Sequence, residues 1–92
     1  MSGSITNTIA SVDRWGPFAA DIDEPERRAR LRSMRAIVHL CTGPRGERLA
    51  DELRRAKRDA DHLPAALAAL DALAALDRRQ VLASFARLHR PA

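Results

Sequence analysis

Leu31, Met34, Ile37, Val38 and Cys41 recur at intervals of three and four, and Leu49, Leu53, Ala56, Ala60 and Leu63 do the same after an interruption at Gly43 to Gly46. Side chains repeating at that interval share one face of an α-helix, whereas a strand repeats at two. No β-rich alternation competes with this pattern, so the expected fold class is all-α.

Local signals set the expected boundaries. Asp23 and Glu26 have the spacing of a capping box, and Pro25 is tolerated in a first turn that lacks intrahelical donors, which predicts a helix over 24–41 stopped by Gly43 and Pro44. A second helix is expected over 46–61, with Asp51 and Arg55, and Arg55 and Asp59, able to pair across a turn. Pro64 pushes Leu63 out of the α region, which predicts a turn at 61–63 and a third helix starting at Pro64. Leu67, Leu70, Leu73 and Leu76 then run among alanines small enough for another backbone to approach closely. Were that helix unbroken to Leu88, Asp77 would fall in its apolar seam. Asp77 with Gln80 makes a good N-cap pair instead, so a break and a fourth helix over 78–89 are expected.

Connections of this length make successive helices antiparallel neighbours, so the reading is a small bundle of three to four antiparallel helices over 23–92. Residues 1–22 show no sustained period and are expected to form a flexible or docking N-terminal arm. With 92 residues there is room for one small domain and none for a large enzyme.

Reactive groups are sparse. The three histidines, His39, His62 and His89, fall on separate elements without metal-ligand spacing. Asp59, Asp61 and His62 form a loose triplet best read as a solvated helix end. Cys41 sits on the apolar stripe, two residues from His39 and so on a different face, which suits a small core residue better than a nucleophile. Thr42 to Glu47 superficially suggests a phosphate loop but lacks the Gly-Lys-Ser/Thr ending and a preceding strand, and reads as an interhelical turn. No enzyme, metal or cofactor is expected. A single cysteine excludes an intrachain disulfide and fits a reducing compartment. No export signal or membrane-length apolar run is visible, which makes the cytoplasm the expected location.

Fifteen of the sixteen basic residues are arginine, an abundance that a GC-rich genome would also produce. Their distribution is more informative than their number. Residues 24–58 hold eleven basic against five acidic side chains, and residues 59–77 hold acids alone. A patch from Arg27, Arg28, Arg35, Arg54 and Arg58 is the candidate charged surface. Interleaved carboxylates, the lack of an accompanying aromatic and the absence of a glycine-containing helix-turn-helix favour a protein over a nucleic acid as its partner. The stretch Leu73 to Gln80 resembles the opening helix of sigma-factor region four. The sequence stops short of that family's recognition helix, and the resemblance, which Ala/Leu/Arg-rich sequence produces by chance, implies no DNA-reading function.

Trp15 and Phe18, with Gly16 and Pro17 between them, are the aromatic feature of the arm. They either anchor a partner or fold back over a core poor in aromatics. The resulting expectation is a non-enzymatic protein-binding module, an adaptor, accessory subunit or inhibitor. It would use Trp15, Phe18, Arg27, Arg28 and Arg35 against an acidic protein. Nucleic-acid binding by the same face is the alternative, and self-association is expected in either case because the core is small.

Overall fold

Asp23 opens the first helix. Its backbone is extended (φ −78°, ψ 169°) and its Oδ1 accepts the Glu26 N–H at 3.0 Å, meeting one of the donors a helix leaves free at its start. The structure, a computed structural model, describes residues 16–19 and 21–89. These form α1 (Glu24–Thr42), α2 (Glu47–Arg58), α3 (Leu63–Asp71) and α4 (Ala75–His89), with 3-10 turns at Gly43–Gly46 and Ala60–His62. No strand occurs among the described residues.

Two glycines shape the turn after α1. Gly43 has φ +56° and ψ −133°, a conformation a side chain resists, and its N–H returns to the His39 carbonyl. Gly46 is needed for closeness. A Cβ there would collide with Thr42 Oγ1 and lie 2.6 Å from Val38 Cγ1. The turn therefore folds α2 tightly back against the end of α1.

The second helix stops three residues before its expected end. Asp59 leaves the α region (φ −144°, ψ 109°) and its Oδ1 accepts the Asp61 N–H at 3.0 Å, starting the 3-10 turn that delivers Leu63 and Pro64 to α3.

The break between α3 and α4 exists, but not where a cap at Asp77 would put it. It spans 72–74, and α4 starts at Ala75, its first bond running from the Arg78 N–H to the Ala74 carbonyl at 2.9 Å. Neither glycine nor proline makes the break. The Arg78 guanidinium donates to the carbonyls of Asp71 and Leu73, both at 3.0 Å, meeting acceptors that a helix end leaves unpaired. Asp77 is a helical residue in the first turn, and its carboxylate bonds elsewhere.

Packing follows the expected stripes. Leu31, Met34, Ile37 and Val38 of α1 and Leu49, Leu53 and Ala56 of α2 are buried together with Ala66 and Leu70 of α3 and Val81 and Phe85 of α4. The first helix packs against both α2 and α4, and α2 against α3, so α1 and α2 are the inner pair and α3 and α4 flank them. Ala60 is exposed and Leu63 half-buried, so the second stripe ends with α2. Leu76 and Leu88 are exposed, because α4 turns its Asp77, Val81 and Phe85 face inward.

Part of the segment read as an arm is packed. Gly16, Pro17, Phe18 and Ala19 are all buried, Phe18 within the core cluster. Ile5, Ile9, Val12 and Trp15 lie outside the described residues. Among the described residues no helix is long and apolar enough to cross a membrane.

Candidate interaction surface

Arginine in this protein has two different employments. One set is turned inward. Arg27 is only 9% exposed, and its Nη1 donates to the carbonyls of Pro17 at 2.7 Å and Ala19 at 2.9 Å while Nη2 reaches the Ile22 carbonyl at 3.5 Å. Its neighbour Arg30 bonds the Gly16 carbonyl at 3.3 Å and the Glu26 carboxylate at 2.7 Å. An irregular segment has few internal partners for its carbonyls, and the two guanidinium forks supply donors at fixed positions on α1. Arg78 does the same for the break before α4.

Arg45 belongs to this set although its side chain is exposed. Its Nε and Nη2 meet Asp77 Oδ2 and Oδ1, each at 2.9 Å, which ties the 3-10 turn to the first turn of α4. The hydrogen bond from Arg45 holds the buried Asp77 carboxyl below its ordinary value, against desolvation, which acts the other way, and with help from the Arg45 charge.

The second set faces solvent. From Arg28 to Thr42, α1 contains no acidic residue. Arg28, Arg32, Arg35 and His39 recur at intervals of four, three and four, which confines them to an arc of about 60°. Arg28, Arg32 and His39 are exposed and Arg35 is half-buried. Arg28 and Arg32 make no ion pair among the described residues.

Arg35 marks where α2 joins this surface. Its charge contributes to keeping the Asp51 carboxyl below its ordinary value, an effect led by the Arg54 hydrogen bond at 2.8 Å. The Arg35 Nε is buried without a hydrogen-bond partner. With Gly46 packed on Val38 and Thr42 at the turn, and Asp51 near Arg35 farther along, the two helices run antiparallel in a fixed register. Equal rise then sets Arg54 level with Arg32 and Arg58 level with Arg28. Between the acidic first turn of α1, with Glu24 and Glu26, and the turn end, where Glu47 lies, the hairpin carries Arg28, Arg32, Arg35 and Arg58, with Arg54 paired to Asp51.

The expected contact residues separate accordingly. Arg28 and Arg35 lie on the basic face, together with Arg32, which the sequence reading passed over although its spacing from Arg28 was visible. Phe18, 8% exposed, and Arg27 are turned inward, where they pack the 16–19 segment onto the bundle. Trp15 lies outside the described residues.

The other groups singled out in the sequence lie apart from one another among the described residues. Cys41 is half-buried with its Sγ 3.7 Å from Ser84 Oγ, at the edge of an open hollow of about 460 Å³ between α1 and α4 that Leu40, Gln80 and Arg87 also line. The exposed His39 is on another side of α1. Asp59, in the loose triplet with Asp61 and His62, uses its carboxylate to cap the Asp61 N–H. No group of three or more metal-ligating side chains converges among the described residues. Compared with known protein families, with curated proteins and with solved structures, the chain matches none of them.

Proposed function

We propose that this protein is a small helical binding module that engages an acidic protein through the basic face of the α1–α2 hairpin. The observation that carries this reading is the uninterrupted row of Arg28, Arg32 and Arg35 on a helix free of acids from Arg28 onward, level with Arg54 and Arg58 on its neighbour. Guanidinium groups held in a row offer forked donors to carboxylates, and exposed ones have no internal role to give up on binding. Action as an adaptor, accessory subunit or inhibitor is compatible with such a surface.

Arg28 is the leading proposed contact, with Arg32 and Arg35 beside it. Trp15 remains a proposed anchor, a role Trp frequently fills at interfaces. The reading includes self-association, for which Leu40 (87% exposed), Leu88 and Leu76 supply apolar surface.

The test is affinity capture from nuclease-treated host extract with wild-type bait and an Arg28→Glu/Arg32→Glu bait. An acidic protein retained by the first and lost from the second, with both baits equally folded by circular dichroism, is expected. Capture that disappears on nuclease treatment would replace this reading by nucleic-acid binding.

A further inference from the structure

The partner can be narrowed by the geometry of the basic face, an argument that rests on the reading just given. We infer that the face receives an acidic helix of the partner, lying along α1 with carboxylates at i, i+4 and i+7 opposite Arg28, Arg32 and Arg35. Beyond them, level with His39 and Glu47, the partner helix carries an uncharged or basic residue.

Spacing is the first ground. Successive members of the α1 row advance by about 4.5 to 6 Å along the axis. A second helix packed alongside at a small crossing angle advances at the same rate, so its own i, i+4, i+7 row stays in step over two turns. Ala36, exposed one turn beyond Arg32, leaves room for that approach.

Charge distribution is the second. A polyanion of uniform charge, such as a phosphodiester strand, would run from the basic quartet of Arg28, Arg32, Arg35 and Arg58 onto Glu47 toward the turn or onto Glu24 and Glu26 at the other end. It would meet like charge there. A helix can place carboxylates against the quartet and none beyond it. Phe18 and Phe85 are both buried, so among the described residues the one ring in this row is the His39 imidazole, level with Glu47 and away from the quartet.

The experiment titrates the full-length protein, by fluorescence anisotropy at one salt concentration, with three labelled probes. One is a helix-forming peptide with Glu at i, i+4, i+7 on one face. The second has the same composition with its Glu residues spread around the helix, and the third is a nucleic-acid duplex of equal net charge. The row peptide is expected to bind about tenfold tighter than its isomer. Arg28→Glu/Arg32→Glu should abolish that binding and accept a Lys-row peptide instead, and the exposed-site control Arg48→Glu/Arg79→Glu should change neither. Equal binding of the two acidic peptides would overturn the helix row and leave the basic face standing. Binding of neither would overturn the basic-face reading as well. Tightest binding of the duplex would replace both with nucleic-acid recognition.

Discussion

Arg45 grips Asp77 with two hydrogen bonds of 2.9 Å across 32 residues of sequence, and this contact closes the end of the bundle where the first turn of α4 meets the turn after α1. A carboxyl whose folded value is depressed stabilises the fold above its unfolded value, and that contribution is lost as pH falls through the folded value. The Asp77 carboxyl is depressed from an ordinary value of 3.8. Asp77→Asn should therefore be less stable than wild type at neutral pH, and the gap should begin to narrow below about pH 4 and go on narrowing as the pH falls through the folded value. Urea midpoints of both proteins between pH 7 and pH 3 check this. A gap independent of pH would assign the loss to packing and not to charge.

The same pair shows what the sequence reveals and what it hides. Asp23 capping Glu26 was legible because both partners sit within one turn. Asp77 had the local signature of a cap too, with Gln80 three residues on, but a bidentate arginine from a distant turn outcompeted that local role. The apolar stripes of α1 and α2 were legible for the same local reason. Arg27 and Arg78 were not, because their acceptors are carbonyls of irregular segments whose course depends on the packing they help to fix. Arg27 and Arg28, about 100° apart on α1, differ in a way the spacing carries: Arg27 is one turn before Leu31 on the buried stripe with Met34 and Val38, and Arg28 starts the exposed row.

Replacing the turn glycines should act through different causes. Gly43→Ala places a side chain at φ +56° and should destabilise by about 1–3 kcal/mol. Gly46→Ala drives a methyl into Thr42 and Val38 and should cost about 1–3 kcal/mol through overpacking. Chemical denaturation measures both. Truncating Val38 to Ala in the Gly46→Ala background should recover part of the second loss and none of the first.

Arg27→Met keeps an apolar stem of similar length while leaving the Pro17 and Ala19 carbonyls without their donor. The expected loss is about 1–3 kcal/mol. Hydrogen exchange and limited proteolysis should show faster opening around residues 16–22 than within α2. Uniform loosening of all helices would contradict the assignment of Arg27 to that segment.

The proposed self-association should give a particle near twice 10.2 kDa by sedimentation equilibrium. Leu40→Ser, at an exposed position, should shift the population toward monomer with little change in helicity. A mass that stays at one chain at high concentration would remove the dimer from the account.

The division of the arginines into inward staples and an outward binding row is the central claim, and thermal unfolding of single alanine variants tests it most directly. Arg27→Ala, Arg45→Ala and Arg78→Ala should each lower Tm by several degrees. Arg28→Ala, Arg32→Ala and Arg58→Ala should leave Tm within the small range of ordinary surface substitutions, about 0.5 kcal/mol either way. A drop in the second group as large as in the first would contradict the division and return the exposed row to the framework.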